Sequence, residues 1–166
     1  MPVGGKMQPS GIRVNRAGTQ LVNITSTAKE QVVQIAGYTP TFVLVALQYS
    51  QQYLMVYHRQ REAWEIVGGR MQSGEAPLEA AKREVFEETG QIVTGLNLKG
   101  ALRLYKPTGR RTVDGLLYFT ELTHLEQFTA NSEIAAIRLW DTRADIGYVD
   151  EIDSFLLSLI QPGPAG

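Results

Sequence analysis

The chain has 166 residues, 43% of them hydrophobic, and a formal net charge of -1 from 16 basic and 17 acidic side chains. That length suits one domain with a buried core, and the balanced charge excludes the global field that draws proteins to nucleic acid or membrane surfaces. The absence of cysteine excludes disulfide frameworks, thiolate metal sites and a cysteine nucleophile, and fits a reducing compartment.

Residues 1–20, rich in Gly, Pro and polar side chains, and the end QPGPAG read as a flexible extension and a flexible tail (161–166) around one domain at 21–160. The start lacks the apolar run of a signal peptide, and nothing approaches the roughly 18 apolar residues of a membrane span, so a soluble cytoplasmic protein is expected. The apolar runs TFVLVAL (41–47) and YLMVYH (53–58), flanking the polar QYSQQ, predict an antiparallel strand pair. WEIVGG predicts a short strand entering a glycine loop. Further strands are expected at 102–106, 115–122 and 134–140 from their β-branched and aromatic content. VDEIDSFLLSLI (149–160) places Ile152, Phe155, Leu156, Leu159 and Ile160 at the spacing of a helix packing one face. Strands, a helix, more strands and a second helix point to a mixed sheet with helices packed on it.

The first helix is expected at 76–89. Pro77 suits its first turn, where a missing N–H costs nothing, and Gly90 suits the left-handed residue that ends it. At about 100° per residue, Leu78, Ala81, Val85 and Thr89 form a core stripe, with Glu84, Glu87 and Glu88 on an adjacent sector that also holds Ala80. Glu79 and Arg83 are spaced as an i, i+4 pair worth about 0.3–0.5 kcal/mol if exposed. The three glutamates are harder to explain as a solvated face. They sit at i, i+3 and i+4, where like charges repel, and in the last turn, where the helix dipole disfavours acid. A divalent cation reverses the sign of both effects, and converging hard oxygen ligands suit Mg²⁺ or Mn²⁺.

Upstream, VGGRMQSGE (67–75) has the glycine spacing of a phosphate-binding loop but places Glu75 where that loop needs Lys, so that reading fails. Taken together with the helix, Gly69, Glu75, Arg83, Glu84, Glu87, Glu88 and Gly90 resemble the signature of the Nudix hydrolases, with Val85 in its first hydrophobic slot. Two positions depart from it: Gln91 stands in a slot that is usually apolar, with Ile92 following, and Val67 replaces the commoner Pro before the glycines.

The resemblance implies an α/β fold, an α/β/α sandwich around a mixed sheet, and a Mg²⁺-dependent hydrolase, with Mn²⁺ as a substitute, cleaving a nucleoside diphosphate linked to another group. The expected substrate is a nucleoside triphosphate such as 8-oxo-dGTP, with ADP-ribose, another nucleotide sugar or a dinucleotide as alternatives. Other readings are a nucleotide sensor that does not turn its ligand over and an interaction module using the acidic face. Glu84, Glu87 and Glu88 are the expected metal ligands, with the Gly68 carbonyl added by the family pattern. Glu75 is expected to bind a further metal or to position the loop, and Arg83 to orient a carboxylate of the cluster. The catalytic base is expected to be Glu84 or Glu133. Arg59, Arg61 and Arg70 are placed to meet phosphates. Tyr57, Trp64, Tyr105, Phe119 and Trp140 are candidates to stack on a base, although aromatics at strand positions more often belong to the core. His58 and His124 lack metal-ligand spacing and receive no role. A monomer or homodimer without a nucleic-acid partner is expected.

Overall fold

The computed structural model describes residues 13–26 and 38–160; the expected tail and the first part of the expected extension lie outside the described residues. In chain order the elements are β1 (Arg13–Val14), β2 (Gln20–Ser26), β3 (Pro40–Tyr49), β4 (Gln52–His58), β5 (Ala63–Glu65), β6 (Val67–Arg70), α1 (Pro77–Thr89), β7 (Asn97–Lys106), β8 (Arg111–Glu121), β9 (Ile134–Trp140) and α2 (Glu151–Ile160).

The strands form one mixed sheet whose path runs β1-β2-β7-β8-β3-β4-β5, with β6 paired to β3 and β9 to β4. Only the β3–β8 pairing is parallel among the described strands, and it occupies the middle of the sheet. β3 divides its other edge. Phe42 to Val45 pair with β6, whereas Gln48 and Tyr49 turn through Ser50 and Gln51 into β4. Both turn residues have positive φ (49° and 67°), the twist that matches a two-residue antiparallel hairpin.

Alternation along the strands sends side chains to opposite faces. Val43, Val45 and Leu47 of β3 join Leu54, Val56, Leu116 and Tyr118 under α1, which adds Ala80, Ala81 and Val85. Ala46, Tyr53, Met55, Leu102 and Leu117 face the other way and meet Ile152, Leu156 and Leu157 of α2. One helix therefore covers each face, the expected α/β/α sandwich. Leu156 is fully buried, and truncating it to Ala is expected to cost about 2–5 kcal/mol.

α1 begins at Pro77, and Gly90 ends it at φ 75° with its N–H donated to the Phe86 carbonyl. α2 is capped by Asp150, whose Oδ1 accepts the Ile152 and Asp153 amides at 2.9 and 3.0 Å. Two expectations change. The segment before residue 21 supplies β1, and Asn15 Nδ2 donates to Asp150 at 2.9 Å; a two-residue strand is too short to show a period in sequence. Gly68 and Gly69 lie in strand β6, opposite Leu44 and Val43, instead of in a loop. Cross-strand pairing outweighs glycine's poor strand preference here.

Candidate active site

α1 packs on β3 and β6, and two of its glutamates are buried against the glycine strand. Glu88 accepts the Gly68 amide proton on Oε1 at 2.8 Å, and the Glu84 carboxylate lies where a Cβ on residue 69 would stand. Glycine at 69 is what lets the backbone approach the acid so closely. Glu87, one sector further round, is exposed.

Arg83 organises the acids from one side. Its Nε and Nη2 grip both Glu75 oxygens at 2.7 and 2.9 Å, and its Nη1 reaches Glu84 at 2.9 Å and Glu87 at 3.0 Å. Nη2 also donates to the Arg70 carbonyl at 3.0 Å. The expected Glu79–Arg83 pair is replaced by this fork, because four acceptors on three carboxylates and a carbonyl outcompete a single exposed partner. Glu75 additionally accepts the Gln72 amide at 2.9 Å, so its observed contacts hold the β6–α1 connection.

The electrostatics divide the acids. Arg83, then the Gln72 amide, pulls the Glu75 carboxyl down to about 2. Burial pushes Glu84 up against the pull of Arg83, with Glu87 and Glu133 adding repulsion. Burial pushes Glu88 up to about 9; the Gly68 amide opposes this, while Glu84, Glu133 and Glu65 reinforce it. Two neighbouring buried carboxylates thus lack enough positive charge.

The donor chemistry fits a divalent cation: hard oxygens, incompletely compensated, beside a glycine backbone that admits close approach. Among the described residues no three acidic or histidine side chains already stand as a metal cluster, since Glu84 and Glu87 are turned to Arg83.

A cavity of about 630 Å³ is lined by Gly68, Gly69 and Arg70 of β6, Phe42 of β3, Lys106 of β7 and Arg111 of β8. Lys106 and Arg111 are direct cross-strand partners, a like-charge pairing that a sheet disfavours. Burial, then Arg70, Arg111 and Arg61, holds the Lys106 ammonium below its ordinary range. Arg61 lines the cavity too, but is held bidentately by Glu65 at 2.7 and 2.8 Å. Arg70, Lys106 and Arg111 form no ion pair among the described residues. The buried Asp153 also lines the cavity; it accepts the Ile66 amide at 3.0 Å, and burial followed by Asp150 and Glu65 raises its carboxyl well above the usual range.

Of the basic residues expected at phosphates, Arg61 and Arg70 line this cavity, whereas Arg59 does not and donates Nε to the Asn131 carbonyl at 2.8 Å. None of Tyr57, Trp64, Tyr105, Phe119 and Trp140 lines it; Tyr57 and Trp64 meet edge-on, and Trp140 is buried. Phe42, Lys106, Arg111 and Asp153 line the cavity without being among the residues expected from the sequence. Opposed basic residues around the turn of a hairpin were the one available signal. His58, given no role from the sequence, has its Nε2 3.5 Å from Glu133 Oε1. Gln91 is buried, its amide bonded to the Glu126 carbonyl and amide at 2.9 and 2.7 Å, while Ile92 is exposed.

The NUDIX domain family model matches residues 37–159. A Bacillus subtilis (strain 168) protein named "Putative 8-oxo-dGTP diphosphatase" is 43% identical over 53 residues, 32% of this chain and 36% of that protein. An "RNA pyrophosphohydrolase" of Xylella fastidiosa is 35% identical over 65 residues, 39% of this chain and 34% of that protein. The chain thus matches about a third of the length of each of these two relatives. The crystal structure of the Bacillus subtilis pyrophosphohydrolase BsRppH superposes with a TM-score of 0.67 at 20% identity, covering 91% of this chain and 94% of that one, a likeness of fold.

Proposed function

The chain belongs to the NUDIX family, whose domain model spans most of its length, and on that premise we propose that it hydrolyses a phosphoric anhydride bond of a nucleoside triphosphate, releasing the monophosphate and pyrophosphate. The observation that carries this reading is the pair of buried, undercompensated acids Glu84 and Glu88 beside a glycine strand whose residues also line a cavity with three cations that form no ion pair among the described residues.

Glu84, Glu87 and Glu88 would hold a divalent ion, Mg²⁺ or Mn²⁺ in its place, which would supply charge neutralisation for the phosphate oxygens and a more acidic water. Arg83 pairs with Glu84 and Glu87 and keeps Glu75 and the β6–α1 connection in place. Glu133, exposed and near enough for its charge to act on Glu84 and Glu88, takes the proton of the attacking water as the P–O–P bond breaks. Arg70, Lys106 and Arg111 bind phosphate oxygens, and Phe42 offers an aromatic surface to the base. Asp153 can meet a hydrogen-bonding edge of a purine there, which together with the relative named for 8-oxo-dGTP makes that oxidised nucleotide the first substrate to try.

Pyrophosphate release is measured over a panel of nucleoside triphosphates including 8-oxo-dGTP, with ADP-ribose, a dinucleoside polyphosphate and a 5′-triphosphorylated oligonucleotide alongside, each with and without Mg²⁺; products are identified chromatographically. Mg²⁺-dependent release from a triphosphate is expected. Binding without turnover across the panel returns the protein to a nucleotide sensor. Thermal stability indifferent to divalent ions, with or without nucleotide, points to an interaction module, because an occupied site must add stability by mass action.

A further inference from the structure

We propose that His58 is a positioning residue: through Nε2–H it orients the Glu133 carboxylate. This rests on the proposed role of Glu133 as base. A neutral imidazole has one N–H donor and one acceptor nitrogen, and the surroundings of His58 decide which is which. Nδ1 receives the backbone N–H of Arg61 at 3.2 Å, so it is the acceptor and the proton sits on Nε2. Nε2 then faces Glu133 Oε1 at 3.5 Å. His58 is 4% exposed, so its ring has little freedom to choose otherwise.

The Glu133 backbone is already pinned. Its carbonyl accepts the Arg59 amide at 2.9 Å, and its own N–H goes to Asn131 Oδ1 at 2.9 Å. Asn131 in turn donates Nδ2 to the Glu87 carbonyl at 3.1 Å, which ties this loop to the end of α1. What remains undetermined is the half-exposed carboxylate, whose side-chain contact among the described residues is His58 Nε2. A separation of 3.5 Å is long for a hydrogen bond, as such contacts often are before substrate tightens them.

Two measurements on the full-length chain test this. Nitrogen-15 NMR of the His58 ring, with and without Glu133→Gln, is expected to show the Nε2–H tautomer and a change in the Nε2 resonance when Glu133 is replaced. An Nδ1–H tautomer, or a ring indifferent to that replacement, overturns the proposal whether or not the protein turns over any nucleotide. In kinetics, His58→Leu is expected to lower kcat by about tenfold or more with KM within about twofold, the size of effect an orienting partner has. His58→Gln, whose amide can accept from Arg61 N–H and donate to Glu133, restores most of the loss. In the Glu133→Gln background His58→Leu should cost less than about twofold, since residues acting as a unit are not additive. The same fractional loss in both backgrounds overturns the proposal; so does a Glu133→Gln variant of undiminished kcat, which leaves the hydrolase reading standing. Should His58→Leu fail to fold, His58→Asn, which stops short of Glu133, takes its place.

Discussion

Glu88 Oε1 accepts the amide proton of Gly68 at 2.8 Å, joining the last turn of α1 to β6 across 20 residues of chain. The bond fixes one oxygen of a buried carboxylate and draws it against a backbone with no side chain to intervene. An isolated helix would hold that acid in water at its unfavourable end. Here the sheet removes the water, supplies one amide in exchange and leaves charge capacity to spare.

Stability of the metal-free protein should therefore fall as pH rises. The Glu88 carboxyl is raised from 4.5 to about 9 on folding. The folded state keeps a proton that the unfolded state releases, so the contribution is fully present below pH 4.5 and is lost progressively up to about pH 9. Thermal melts between pH 5 and 9 should show this slope. Glu88→Gln, which keeps an acceptor for Gly68 N–H, should flatten it and melt higher than the parent at pH 8. An unchanged slope in the variant would assign the pH dependence to other groups.

Glu87 is the exposed member of the cluster, and among the described residues its one ion pair is with Arg83 at 3.0 Å. Replacing it with Gln removes a screened surface pair worth no more than about 1 kcal/mol, so the apo melting temperature should hardly move. Turnover, by contrast, should drop by about 100-fold or more if the side chain binds the ion. Melting curves and initial rates on the same preparation separate the two roles; a large loss of apo stability would make Glu87 structural.

The two glycines of β6 should respond differently to alanine. A Cβ on residue 68 meets the Leu44 side chain and, at 2.8 Å, the Val43 carbonyl oxygen, backbone that cannot yield. Gly68→Ala is expected to destabilise by about 1–3 kcal/mol, as overpacking does. The three atoms nearest a Cβ on residue 69 all belong to the Glu84 carboxylate, the end of a side chain, so Gly69→Ala should spare more of the stability while weakening divalent-ion binding by about tenfold or more. Urea melts and calorimetric titration with Mn²⁺ distinguish them; equal effects on both quantities would refute the separation.

Gln91→Leu restores the apolar residue common at that slot, yet it should destabilise. The Gln91 amide satisfies both the Glu126 carbonyl and the Glu126 amide, and Leu would leave those groups without it at a cost of about 1–3 kcal/mol. Hydrogen exchange should accelerate first at Glu126. A variant as stable as the parent, with exchange unaltered, would show that water replaces the amide without loss.

Much of this molecule is written in local order. The spacing from Gly69 to Gly90 names the family, Pro77 and Gly90 bound α1, and the apolar run at 134–140 is β9 residue for residue. These features depend on neighbours within a few positions, where helix and strand periods leave their mark. What only the tertiary structure decides lies between segments far apart in sequence. The parallel pairing of β3 with β8 sets Phe42 on Gly115, the β7–β8 hairpin brings Lys106 and Arg111 to the cavity that β6 borders, and the start of β9 delivers Glu133 to His58. It likewise settles the partners of Arg83: helix spacing offers it Glu79 or Glu87, and the packed fold gives it Glu75, Glu84 and Glu87. Local spacing specifies which groups a chain carries; burial and strand order determine which of them meet, because a carboxylate's charge and reach depend on the water and dipoles that distant residues remove or supply.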